Sequence, residues 1–256
     1  MSAPLLETRG LGRNFGALLA VHDINFRLEA GARHALIGPN GAGKTTFINL
    51  LSGVLQSSTG QVIFKGDDIT EMPEAARVKL GIARTFQINR LFRGLSVLEN
   101  VYIAVAERTG IAPSKLRPAG TRKNVVDEAM HMLETVKLQD AAGSLVSELP
   151  YGRQRLVEIA IALGLRSEVL LLDEPAAGVP SAETHIILDA VAGLPKHIGV
   201  LIIEHDMDVV FRFAERITVM VAGSVFTEGT PEQIRADERV RAVYLGQEAH
   251  RGAAHG

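Results

Sequence analysis

The chain has 256 residues, a formal charge of −2, 22% charged residues and no cysteine. That length suits one large domain or a domain with a subdomain, and the charge gives no bias toward nucleic acid. Without cysteine there is neither a disulfide framework nor a thiolate metal site, which fits a reducing compartment.

Residues 1–10 contain Glu7 and no signal-peptide core, and no stretch approaches the roughly 18 uninterrupted apolar residues of a membrane span. Leu5–Thr8, Val21–Leu28 and Ala35–Ile37 are short apolar runs between turn signals, so the chain begins as strands. Asn25-Phe26-Arg27-Leu28 alternates as a half-buried strand does. Phe15, in the turn signal Asn14-Phe15-Gly16, reads as a core aromatic or as a stacking platform for a purine.

His34-Ala35-Leu36-Ile37 then runs into Gly38-Pro39-Asn40-Gly41-Ala42-Gly43-Lys44-Thr45-Thr46, the phosphate-binding pattern G-x-x-x-x-G-K-[ST]. Gly38, Gly41 and Gly43 allow a backbone curl whose N–H groups face an anion, through conformations that a side chain obstructs. Lys44 has the reach for β- and γ-phosphates, and the Thr45 hydroxyl can ligate Mg²⁺. A helix over Thr45–Leu51, stopped by Gly53, adds its positive N-terminal end. Nucleotide binding is expected here.

Gly60–Lys65 reads as a strand, Glu74–Leu80 as a short helix behind Pro73, and Gly81–Gln87 as a strand running out into a loop. Residues 88–165 change character. Ser96-Val97-Leu98-Glu99 is a capping box opening a helix toward Ala106, and Gly110–Thr121 reads as an exposed loop. Val125, Val126, Ala129, Met130, Leu133 and Val136 form a helical stripe, and Arg155–Leu163 is an apolar buried helix. From Glu168 the α/β alternation returns, with continuous apolar strands at Val169–Leu172 and Val200–Ile203 around a helix that Ser181 can cap. Helix Met207–Ala214, strands Ile217–Val221 and Val225–Glu228 and a helix from Pro231 follow, and the tail from His250 is expected to fray.

Four further groups carry chemistry. Asp173-Glu174 ends an apolar strand, the setting in which a phosphate-loop enzyme delivers an aspartate to Mg²⁺ and a general base to the attacking water. His205 follows a second apolar strand, at the carboxyl edge where open α/β sheets bind ligands, and is placed to meet a γ-phosphate; the other seven histidines read as structural or solvated. Gln87 has an amide able to orient water or ligate Mg²⁺ weakly. Leu149-Pro150-Tyr151-Gly152-Arg153 precedes a helix whose N-terminus can hold an anion.

Taken in order, these residues resemble the nucleotide-binding subunit of ATP-binding cassette transporters over essentially the whole chain. Gly38–Thr45 matches Walker A, Val169–Glu174 Walker B, Gln87 the Q-loop, Leu149–Arg153 the signature region, Gly178–Ser181 the D-loop and His205 the switch histidine. Phe15 falls where the family stacks adenine. Arg84-Thr85-Phe86-Gln87, Arg90-Leu91-Phe92-Arg93, Leu95–Val101, Asp173–Gly178, Ile203–Met207 and Gly229–Glu232 are similar to the branched-chain amino-acid importer type, in particular the longer of its two ATPase subunits.

The resemblance implies an α/β phosphate-loop fold with a mostly parallel sheet, an N-terminal antiparallel β part and an inserted all-helical subdomain. It implies an ATP-binding core over 1–87 and 166–256, with 88–165 carrying the signature. It implies ATP and Mg²⁺ as cofactors, with Asn40, Ala42 and Thr46 lining the phosphate site and Thr45, Gln87 and Asp173 at the metal. Lys44, Glu174, Gln87 and His205 take catalytic roles, and Tyr151 and Gly152 face a nucleotide held by a second ATPase subunit, a copy or a paralogue. Permease subunits, through them a solute-binding protein, and a peripheral place on the cytoplasmic face of the membrane complete the expectation, with no nucleic acid.

Other small solutes (urea, amides, aromatic acids) and a soluble non-transport cassette ATPase are the alternatives. The signature departs from Leu-Ser-Gly-Gly-Gln: Pro150 stands for the serine, Tyr151 for the first glycine and Arg153 for the glutamine, and Pro180 replaces the usual D-loop Asp or Asn. Pro150 has no hydroxyl, so a γ-phosphate contact there falls to backbone N–H groups such as that of Gly152.

Overall fold

A computed structural model describes residues 4–85, 91–110 and 122–244. In chain order the elements are β1 (Leu6–Phe15), β2 (Leu18–Leu28), β3 (Arg33–Ile37), α1 (Lys44–Ser52), β4 (Thr59–Phe64), β5 (Asp67–Asp68), α2 (Glu74–Leu80) and β6 (Ile82–Thr85). Then come α3 (Val97–Arg108), α4 (Lys123–Thr135), α5 (Tyr151–Gly164), β7 (Val169–Asp173) and α6 (Ser181–Ala192). The chain closes with β8 (Gly199–Ile203), α7 (Met207–Phe213), β9 (Arg216–Val221), β10 (Ser224–Gly229) and α8 (Pro231–Ala236). The backbone clusters into two compact units, one of Met1–Glu74 with Gly199–Gly256 and one of Ala75–Ile198.

In the first unit β1 and β2 form an antiparallel hairpin, from Leu6 opposite Leu28 to Phe15 opposite Leu18, and β4 pairs with the other edge of β1. Alternation explains it: Ile24, Phe26 and Leu28 are buried while Asn25 and Arg27 face water. The unit's second layer has β3 between parallel β8 and β9, with β10 antiparallel on β9. Every residue of β3 and β8 is buried, as unbroken Ala-Leu-Ile and Val-Leu-Ile-Ile runs require of strands covered on both faces. Behind β3, Phe26 meets His34 and Phe47 edge-on, with ring centroids 4.9 and 5.6 Å apart, so hairpin, strand and α1 share one aromatic core.

In the second unit β6 and β7 run parallel and α3, α4 and α5 pack on one another. Ser96 caps α3 through the expected capping box with Glu99. The α3–α5 approach is close because Gly164 has no side chain: a Cβ there would sit 3.1 Å from Val105. Asn100 braces the preceding turn, accepting from the Phe92 amide at 2.9 Å and donating to the Phe92 and Ser96 carbonyls.

Several boundaries differ from expectation. α3, expected to run toward Ala106, ends at Arg108. α5 begins at Tyr151 rather than Arg155, because Pro150 is a tolerated pre-helical residue and Tyr151-Gly152-Arg153 continues the helical run. Ser181 is the first residue of α6 and Pro180 occupies the cap position, so the expected serine cap is corrected. The loop expected at 110–121 and Gln87 lie outside the described residues, apart from Gly110. Among the described residues no helix is long and apolar enough to cross a membrane.

Candidate nucleotide site

The phosphate loop grows out of a fully buried strand. β3 ends at Ile37, the chain turns through Gly38 (φ 152°), Gly41 (φ 79°) and Gly43 (φ 93°), and α1 starts at Lys44. Two glycines are demanded by neighbours as well as by conformation. A Cβ on Gly38 would lie 2.1 Å from the Met220 carbonyl of β9, and one on Gly43 2.4 Å from the Ala20 carbonyl of β2. Gly41 has open space around it and is required by its positive φ alone.

Gly43 is also the N-cap of α1 and gives that helix no side-chain cap. The first N–H groups of α1, with the helix dipole behind them, make an anion cradle. Lys44 folds back along the loop, its Nζ donating to the Gly38 and Pro39 carbonyls at 2.7 and 2.9 Å. Asn40 and Thr45 are exposed, Thr46 half-buried and Ala42 buried. The Gly223 amide donates to the Ala42 carbonyl, stitching the loop to the β9–β10 turn.

Three other groups belong to the same unit. Phe15 is 46% exposed at the end of β1 with the Arg13 guanidinium 4.8 Å from its ring centre, which leaves it outside the core and open to a flat ligand. β8 pairs with β3 up to Ile203 opposite Leu36, so His205 emerges at the edge from which the phosphate loop leaves. It is exposed, and Asp206 directly after it caps α7 by accepting from the Asp208 and Val209 amides. Burial pushes the Tyr244 phenol up to about 12, with a backbone interaction with Gly38 opposing.

One histidine is structural in a specific way. His34 on β3 meets the Thr218 hydroxyl at 2.8 Å, Thr218 donates to Glu228, and Glu228 pairs with Arg216. Burial depresses the imidazole to about 4, with Glu228 raising and Arg216 lowering it. His34 is therefore neutral at pH 7.

In the second unit, β7 carries Asp173 at its end, 7% exposed, and the Arg84 guanidinium of β6 donates to its Oδ2 at 2.7 Å. Glu174, the next residue, has φ 49°, a left-handed conformation worth about 1–2 kcal/mol of strain in a residue with a Cβ. The strand is broken sharply there, and tight turns through Ala177 and Val179 carry the chain to Gly178 (φ 74°).

The signature stretch forms the first turn of α5, and Pro150 gives that helix no side-chain cap. The Tyr151 ring lies against Gly178, where a Cβ would sit 3.4 Å from it. Arg155, one turn on, donates to the Tyr151 hydroxyl at 2.6 Å and to Glu158 at 2.9 Å. Burial raises the Glu158 carboxyl, and Arg155 opposes the shift. Gly152 is buried, with the place of its absent Cβ 3.0 Å from the Glu183 carboxylate. The Arg84–Asp173 pair and the Tyr151–Arg155–Glu158 brace are absent from the sequence reading. Only the strand register and one helical turn bring those residues together.

Residues 21–177 match a family described as ABC transporter, and residues 224–250 one described as branched-chain amino acid ATP-binding cassette transporter. The chain is 39% identical over 254 residues, 96% of its length and all of the relative's, to the high-affinity branched-chain amino acid transport ATP-binding protein LivG of Escherichia coli K12. The protein of the same description named BraF, from Pseudomonas aeruginosa, gives the same identity and coverage. Among solved structures, the ADP conformation of an ATP-binding cassette of an ABC transporter superposes with a TM-score of 0.84 at 32% identity, covering 96% of this chain and 100% of that one.

Proposed function

The chain belongs to the ABC transporter family of ATP-binding cassettes, and from that premise we propose that it hydrolyses ATP to power an importer of branched-chain or related hydrophobic amino acids. The observation that carries nucleotide binding is the start of α1: an uncapped helix N-terminus behind glycines whose neighbours exclude side chains. The solute class rests on the likeness to the branched-chain amino acid transport proteins LivG and BraF and on the family match at 224–250.

The residues fit the group they would hold. Amides of the Gly38–Thr46 loop and the Lys44 ammonium bind phosphate oxygens, and Lys44 exchanges its loop carbonyls for them. Asn40, Ala42 and Thr46 line that cradle, and Phe15 offers its exposed ring to adenine. Thr45 and Asp173 would hold Mg²⁺, with Gln87 as a further ligand. When bound, that ion neutralises charge on the transferred phosphoryl group.

Glu174, at the left-handed turn that ends β7, takes the proton from the attacking water. His205 donates to the γ-phosphate. Tyr151 and Gly152 present the α5 turn to a nucleotide held by a second ATPase subunit. The sequence supports a peripheral subunit on the cytoplasmic face, bound to permeases and working with a solute-binding protein.

The test is hydrolysis by the wild-type chain and Glu174→Gln, alone and with its permeases. Loss of about 100-fold or more in kcat with ATP binding retained is expected. Hydrolysis at the wild-type rate would remove Glu174 from the mechanism. Uptake of labelled leucine, and not urea, by the reconstituted complex decides the solute.

A further inference from the structure

Arg84, three residues before Gln87, has an ion-pair partner at the end of β7. β6 and β7 are parallel with Arg84 opposite Leu171, and opposed residues share a face of the sheet. Leu171 and Asp173 are two apart on β7, so they share that face too, and the register alone sets Arg84 diagonally beside Asp173. The side chains complete it, with Arg84 Nη2 at 2.7 Å from Asp173 Oδ2. Both ends are shielded, the side chains being 10% and 7% exposed. A surface ion pair contributes little, but a buried carboxylate that loses its cation is strongly destabilised.

We propose that Arg84 is a positioning residue for the Walker B aspartate. It holds the Asp173 carboxylate in place from within the chain, and it competes with Mg²⁺ for that same charge. This rests on the reading of Asp173 as a magnesium ligand. One oxygen of a carboxylate engaged by a guanidinium leaves the other for a metal or its water, so the aspartate stays available while its grip on the metal is moderated. The pair thereby sets the Mg²⁺ concentration at which the site fills, a property that a merely structural ion pair would leave unchanged.

The experiment compares wild type, Arg84→Met, Asp173→Asn and the double variant by thermal unfolding and by Mg²⁺ titration of binding at fixed ADP, where no turnover occurs. Arg84→Met is expected to lower Tm without nucleotide or metal by about 5–10 °C. It is also expected to lower the half-saturating Mg²⁺ threefold to tenfold, with Mg-ADP restoring more of the Tm than in wild type. Asp173→Asn should raise half-saturating Mg²⁺ at least tenfold, and adding Arg84→Met to it should change nothing further.

If Asp173→Asn leaves the Mg²⁺ titration unmoved, the metal assignment of Asp173 fails. If Asp173→Asn shifts it while Arg84→Met matches wild type or needs more Mg²⁺, the Arg84 inference alone is overturned. Should Arg84→Met not fold, Arg84→Lys keeps the charge without the planar fork, and an intermediate Mg²⁺ shift is the expected result. A wild-type titration of that variant overturns the proposal.

Discussion

The two units are built around their candidate residues from different material. In the first, the Gly38–Thr46 cradle is backbone: glycine amides and a helix end, packed so tightly on β2 and β9 that a single methyl group collides. In the second, side-chain pairs, Arg84 with Asp173 and Arg155 with Tyr151 and Glu158, hold a buried strand end and the first turn of α5. A backbone device tolerates no added atom, whereas a side-chain device tolerates shape changes and fails when a charge is removed. That contrast can be broken by substitution.

The largest effect is expected where a buried charge is orphaned. Arg155→Met should cost about 3–5 kcal/mol, because Glu158 then keeps a buried carboxylate without its cation. Urea unfolding measures it. A loss under about 1 kcal/mol would show that the second unit does not depend on side-chain charge. Next is Gly43→Ala, at about 3 kcal/mol, from the clash with Ala20 and the left-handed backbone together. Gly41→Ala, with the same backbone sign but open space, should cost about 1 kcal/mol. Equal costs at the two glycines would mean that conformation alone, and not the packing of β2, sets the loop.

The His34 network should give the first unit an acid limit. Its folded pKa is depressed from 6.5 to about 4, so the unfolded chain takes up the proton first. The stability it contributes is complete above pH 6.5 and is lost as pH falls toward 4, by roughly 3 kcal/mol from the 2.5-unit difference. His34→Gln should flatten that part of the stability–pH curve. An unchanged curve would place the acid limit in another group.

The same contrast governs what could be read in advance. The phosphate loop, the Asp173-Glu174 strand end, His205 and the Ser96 capping box are local patterns, and the fold realises each as a turn, strand end or helix start. Phe15 was undecidable locally, since only the hairpin's position shows that its ring faces solvent. Arg84 and Asp173 lie 89 residues apart, and nothing short of the β6–β7 register pairs them. α5 starts one turn before the apolar run at Arg155, because proline before a helix and a glycine packed against Glu183 both permit one. The Ser181 cap failed for a similar reason: Pro180 already holds the cap position.

A last pair of substitutions separates ring from hydroxyl at the substituted signature. Tyr151→Phe keeps the ring against Gly178 and removes only the acceptor of the Arg155 hydrogen bond, so it should cost about 1–2 kcal/mol and leave ATP binding by the isolated chain unchanged. Arg155 still has Glu158, and the planar guanidinium stays 4.9 Å from the ring centre, so the brace loosens without opening. Tyr151→Ala removes both and should cost about 3 kcal/mol. If Phe and Ala are equally damaging, the hydroxyl bond holds the α5 turn. If Phe is silent and Ala is not, the turn is held by the ring on Gly178, and the family's first signature glycine has here been replaced by a packing contact rather than by a polar one.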